Sequence, residues 1–134
     1  MVRGDEALAK MDECTRCRFG APVVLVLAYD MTVAARHPDV TDFGTVDIAI
    51  VGDHMSLAAE ELGVHSCWVG LIDPPELRRQ FDVPQTYKIV AVMPLGYPSE
   101  RSRPSRLHRM RQGVQKTVFF DSYATGEDSD ALDA

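Results

Sequence analysis

The stretch from Thr45 to Leu71, TVDIAIVGDHMSLAAEELGVHSCWVGL, restricts the possible folds of this chain more than any other. Ile48, Val51, Met55, Ala58, Ala59 and Leu62 recur at helical spacing, and Ile50 and Leu57 add a second apolar edge. A helix apolar on both sides leaves little room for solvent, so the spacing predicts a long central helix buried inside the domain. Thr45 is the expected N-cap, with Asp47 in the first turn at the positive end of the helix dipole. Gly63 stands where a left-handed residue would stop the helix. Ser66–Leu71 then reads as a short strand, and Gly70 there lets bare backbone approach something flat.

A chain of 134 residues is of single-domain size. The sequence divides into one domain over 1–123 and an acidic tail over 124–134 that is expected to be disordered. Hydrophobic residues make up 46%, which argues against disorder of the whole chain. The net charge of −6 argues against a general nucleic-acid binder. No apolar run approaches the roughly 20 residues of a membrane helix, and MVRGDEALAKMDEC has no secretory apolar core, so no membrane is expected as partner. Three cysteines, an odd number, fit a reducing cytoplasm.

Val23–Leu27 are all Val or Leu, so VVLVLAYD reads as a strand covered on both faces. Cys14 and Cys17 form a C-x-x-C, but the pair precedes the strand and no second pair exists; two ordinary thiols are expected there, with no metal. Residues 31–44 read as a loop, with His37 an ordinary surface histidine. Asp53 and His54 are sequence neighbours about 100° apart on a helix, which does not make them an acid–base pair. No side chain is assigned as catalytic.

Asp73-Pro74-Pro75-Glu76 has the spacing of a capped helix start. Leu77 and Phe81 would face the core, and Arg78, Arg79 and Gln80 water. Tyr87–Tyr97 is a second apolar strand, expected to stop at Pro94 and Gly96. Six of the fourteen Lys and Arg lie between Arg101 and Lys116, among prolines and serines, which predicts an extended basic arm suited to an anion. Thr117–Tyr123 reads as strand-like.

The segments APVVLVLAYD, VDIAIVGDHMSLAAEELGVHSCWVG, YKIVAVMPLGYPSE and RMRQGVQKTVFFDSY together resemble the C-terminal half of the nitroreductase-like flavoproteins. The resemblance covers about residues 12–123. It implies an α+β fold with a mixed sheet, a homodimer, and FMN at the dimer interface. It also implies electron transfer from NAD(P)H through the flavin to a nitroaromatic, quinone or related small-molecule acceptor. By position, Gly70 and Leu71 would place backbone N–H groups near the flavin N5 edge. Trp68 and Val69 would pack along the ring, and Arg109 and Arg111 would contact the phosphate. The strand Thr117–Phe120 would cross to the partner's sheet.

The family normally begins with a Ser-x-Arg-x-Phe segment and several helices, for which Arg16-Cys17-Arg18-Phe19 is no match. The expectation is an N-terminally truncated member with one cover of the sheet missing and apolar surface that seeks a partner. The alternative to a flavoenzyme is a non-catalytic remnant that serves as a dimerisation module without flavin. Nucleic-acid binding through the basic arm has little support, because the aromatic interleaving it needs is lacking.

Overall fold

The structure is a computed structural model. It describes residues 1–39, 42–120 and 123; the expected tail over 124–134 lies outside the described residues. The chain forms two units, Met1–Glu100 and Arg101–Ala134.

In the first unit the elements run β1 (Val2–Arg3), α1 (Asp5–Cys14), β2 (Val23–Asp30), α2 (Phe43–Glu61), β3 (His65–Ser66), α3 (Pro74–Gln80) and β4 (Tyr87–Gly96). The fold is α+β. The strands form one sheet in the order β1-β2-β4-β3. Every strand pairing among the described residues is antiparallel, where a mixed sheet was expected. The reason is topological. β2 and β3 run the same way and are joined across α2, but β4 inserts between them and opposes both.

Both faces of the sheet are covered. Val24, Val26 and Ala28 of β2 and Ile89 and Val92 of β4 pack with Met11 of α1 and Leu77 of α3. Leu25 and Leu27, with Ala91 and Met93, pack on the opposite side with Ile48 of α2. Alternate residues of each strand therefore serve opposite layers. The register passes from Leu27↔Ala91 to Ala28↔Ile89, leaving Val90 as an extra residue on β4. The bulge explains why Val90 and Ala91, though sequence neighbours, join the same cluster. The missing cover expected from the sequence is thus supplied by α1 and α3.

β4 does not stop at Pro94; it pairs with β2 through Leu95. A proline is tolerated because its lost N–H falls on the outer, β3 side. There Val69 and Val92 exchange two backbone hydrogen bonds of 3.0 Å, and Cys67 N–H donates to the Pro94 carbonyl at 3.3 Å. Pro94 has no N–H to return. The strand expected over Ser66–Leu71 is accordingly divided into the two-residue β3 and an isolated bridge at Val69.

Helix α2 starts at Phe43 with Asp42 as N-cap, three residues earlier than expected, and Thr45 lies in its first turn. Asp42 instead accepts from the Tyr29 hydroxyl and from Lys88 Nζ (3.0 Å), and Lys88 also reaches Thr45 Oγ1 at 3.2 Å. The Tyr29 hydroxyl first, and then Lys88, hold the Asp42 carboxyl below the usual carboxylate range. The helix ends as predicted. Gly63 adopts φ 72°, its N–H donates to the Glu60 carbonyl, and Val64 N–H donates to the Ala59 carbonyl. That pair of bonds satisfies two of the last carbonyls.

The burial of α2 differs from expectation. Within α2, Gly44 and Gly52 are the buried residues, whereas Val46, Ile50, Val51, Met55 and Leu57 are exposed. The helix approaches the sheet through its glycines: a methyl group at Gly52 would lie 2.6 Å from two indole carbons of Trp68 and 2.9 Å from Leu27 Cδ1. At Gly44 the Tyr29 ring fills the same place. One side of α2 lies on the sheet, and the outer apolar rows Val46–Ile50–Leu57 and Val51–Met55–Leu62 are bare in the single chain.

α3 is capped as predicted: the Asp73 carboxylate accepts from Glu76 N–H at 3.0 Å, with Pro74 in the first turn. Leu77 is buried. Arg78 does not simply face water; its guanidinium donates to the carbonyls of Val83 (3.2 Å) and Tyr87 (3.0 Å) and ties down the turn into β4.

In the second unit, 3-10 turns span Arg106–Arg109 and Val114–Lys116. Residues 117–120 form no strand; the Thr117 and Val118 N–H groups both donate to the Val114 carbonyl, at 2.9 and 2.8 Å.

Replacing Gly52 by Ala is expected to destabilise the protein by about 1–2 kcal/mol, since overpacking outweighs the better helix propensity of Ala. Gly70→Ala, where a methyl group meets nothing within 4 Å, should stay within about 0.5 kcal/mol of the parent. Urea midpoints of the two variants check both.

Candidate functional site

Trp68, Val69, Gly70 and Leu71 follow β3 along the outer edge of β4 and emerge at the surface between the sheet and α3. Alternation sends the four residues different ways. The Trp68 indole lies against Gly52 of α2 and is 41% exposed. Val69 is buried, 4% exposed, and packs in the core with Val92 and Leu77. Its backbone is fully engaged with Val92. Val69 therefore anchors the segment and presents no side chain to a ligand.

Gly70 and Leu71 are exposed. The Gly70 carbonyl accepts from Ile72 N–H (3.0 Å), which turns the chain sharply. The Leu71 carbonyl accepts from Thr15 Oγ1 at 2.7 Å. Asp73 N–H donates to the Cys14 carbonyl at 2.8 Å, so the end of α1 is stitched to this turn at two points. The N–H groups of Gly70 and Leu71 have no hydrogen-bond partner among the described residues. Next to them the position a Gly70 methyl would take is open. The result is two adjacent unclaimed backbone donors just past the bridge at Val69, where a methyl group on Gly70 would meet no atom within 4 Å beyond its chain neighbours. An acceptor atom of a flat molecule fits there. Paired backbone donors of this kind suit the flavin edge that the sequence resemblance leads one to expect.

Thr15 escaped sequence reasoning. It is the buried polar residue among the described residues, 6% exposed. Its position inside C-T-R-C drew attention to the flanking thiols instead. Those thiols are free: Cys14 is buried, Cys17 partly so, and Cys67 is exposed. Burial, and then the carboxylates of Glu76 and Asp73, push the Cys14 thiol from 9.0 up to about 11. A thiol so placed is a core side chain and a poor nucleophile.

Arg109 and Arg111 belong to the second unit. Arg109 ends the first 3-10 turn. The Arg111 guanidinium donates to the carbonyls of His108 and Met110, both at 2.9 Å. Both arginines are exposed. Among the described residues no helix is long and apolar enough to cross a membrane, and no cluster of three His, Cys, Asp or Glu could hold a metal ion.

Residues 6–97 match the model of the Nitroreductase family. The chain belongs to that family. A relative from Methanothermobacter thermautotrophicus, named "Putative NADH dehydrogenase/NAD(P)H nitroreductase", is 31% identical over 123 residues, covering 81% of this chain. The chain spans 61% of that relative's length. Among solved structures, a nitroreductase family protein from Clostridium difficile 630 superposes with a TM-score of 0.81 at 26% identity, over 90% of this chain and 71% of that one. An FMN-dependent nitroreductase from Clostridium difficile R20291 shares the fold, with a TM-score of 0.63 at 19% identity over 92% of this chain and 82% of that one. The nitroreductase fold expected from the sequence is therefore the fold of this chain.

The Cys14 shift carries a pH dependence of definite sign. The unfolded chain loses this thiol proton near 9.0 and the folded chain near 11, so the stabilisation is complete below the first value and lost as pH rises through the second. Urea midpoints should fall between about pH 9 and 11 more steeply for the parent than for Cys14→Ala. At neutral pH an alkylating reagent should label Cys67 first and Cys14 last.

Proposed function

We propose that this nitroreductase-family chain is an FMN-dependent oxidoreductase, passing electrons from NAD(P)H to a nitroaromatic, quinone or related small-molecule acceptor. One observation carries the reading: the unclaimed N–H groups of Gly70 and Leu71 beside the open space at Gly70. Bound FMN would supply the two-electron redox chemistry. The chain's own residues hold and orient. Gly70 and Leu71 donate to the ring edge, and Gly70 admits it without steric cost. Trp68 borders the slot from its seat on Gly52. Arg109 and Arg111 are the proposed phosphate ligands; guanidinium groups suit a phosphate, and their positions match the family's basic arm. No general acid or base is assigned, because hydride chemistry at a flavin does not require one of the protein.

We place the flavin in a homodimer. Support comes from the bare apolar rows of α2, which include Val46, Ile50, Val51 and Met55. A helix apolar on its outer side is stable in water once a second surface covers it. A reducing, cytoplasmic setting agrees with the three free thiols.

The second reading is a dimerising module without flavin. It is favoured by the same rows of α2. Both readings predict association, and only the first predicts colour.

Purified protein, alone or after addition of FMN, should show a flavin absorption spectrum that survives gel filtration. Colourless protein that fails to retain added FMN would overturn the flavoenzyme reading. Gly70→Ala should keep the parent's stability yet bind FMN about tenfold more weakly, by crowding of the ring edge. Arg109→Ala and Arg111→Ala should each weaken FMN binding by a similar factor, through loss of a charge-assisted contact. Light scattering should report a dimer, and Ile50→Glu should reduce it to monomer.

A further inference from the structure

We infer that Thr15 is a positioning residue for the flavin edge: its hydroxyl fixes the turn that aims the Gly70 and Leu71 N–H groups outward. The inference rests on the FMN reading for its ligand, and on geometry alone for the clamp.

Thr15 follows directly on α1, and its side chain is buried although it is polar. A buried hydroxyl is tolerated when its hydrogen bonds are made. Here it donates to the Leu71 carbonyl at 2.7 Å and accepts from Cys17 N–H at 3.1 Å. Leu71 lies 56 positions away in the chain, so this is a tertiary bond and no local turn. Beside it, Asp73 N–H donates to the Cys14 carbonyl, and Ile72 N–H donates to the Gly70 carbonyl. Both carbonyls of Gly70–Leu71 are thus engaged on the protein side. The Gly70 N–H shares its peptide plane with the Val69 carbonyl, held by Val92 N–H, and the Leu71 N–H shares its plane with the Gly70 carbonyl, held by Ile72 N–H; Thr15 holds the Leu71–Ile72 plane that supplies this last donor, so the two N–H groups left over are aimed away from those bonds.

The Leu71 side chain cannot do this work, because it is 71% exposed. Val69 anchors the turn on one side and Asp73 on the other. Between them, the one side-chain bond to the Gly70–Leu71 backbone among the described residues comes from Thr15. Preorganised donors bind an acceptor better than donors that must first be ordered.

The test uses the full 134-residue chain, Thr15→Val and Thr15→Ser, with FMN as the probe. Val keeps the shape and loses the hydroxyl; Ser keeps the hydroxyl and loses a methyl. Two quantities are measured: FMN affinity by fluorescence titration, and amide hydrogen exchange at Ile72 and Asp73 without FMN. Thr15→Val should bind FMN about tenfold more weakly and exchange these amides about tenfold faster. Thr15→Ser should restore both to within about twofold of the parent. The opposite order, with Ser impaired and Val intact, would make Thr15 a packing residue and overturn the inference. Unaltered affinity and exchange in Thr15→Val would overturn it as well. If the parent itself binds no FMN, the FMN reading falls. The exchange measurement then decides the clamp separately: slow exchange in the parent and Thr15→Ser with fast exchange in Thr15→Val supports it, and equal rates overturn it.

Discussion

Close approach of α2 to the sheet is the constraint on which the rest depends. It is made at Gly44 and Gly52, where the absence of a side chain lets Tyr29 and Trp68 lie directly against the helix backbone. An interior this tightly packed does not yield to an added methyl group without cost. Because the Trp68 indole is seated there, the next residue, Val69, is turned to the other layer and locked to Val92. The turn at Gly70 and Leu71 is then delivered to the surface with its donors unclaimed. Helix packing and the candidate site are consequently one arrangement.

Much of the fold was legible because its signals are local. The Val/Leu run of β2, the Asp73 cap with Pro74, and the left-handed stop at Gly63 each depend on a few neighbouring residues. The exposed glycine turn at Gly70 was legible for the same reason, whereas the strand expected to run through it breaks after Ser66. Other features were not. Periodicity revealed that α2 is apolar on several sides, but it cannot say whether the covering surface belongs to the same chain. Pro94 reads as a strand stop in isolation; its tolerance depends on which side of β4 the missing N–H falls, and that is a property of the sheet order. The covering of the sheet by α1 and α3 was missed because α1 is short and charged, and its buried stripe is little more than Leu8, Met11 and Cys14.

The candidate site divides in the same way. Val69 is sequence-adjacent to the residues that can meet a ligand, yet alternation turns it inward. Thr15 lies 56 positions from Leu71, and nothing in its neighbourhood advertises a hydrogen bond across the molecule. The Cys-x-x-Cys around it is the more visible pattern and the less informative one, because burial makes Cys14 an ordinary core side chain. A polar residue between two thiols carries more of the structure than the thiols do.

Pro94 has one further effect. The two outermost strands, β1 and β3, are each two residues long, and the missing donor on β4 is what keeps β3 from lengthening along its edge. A long unpaired strand rim invites stray chains to add to it, and aggregation follows. Here β1 covers only Val23 and Val24, so among the described residues the rim of β2 from Leu25 to Asp30 is open to a further strand on that side.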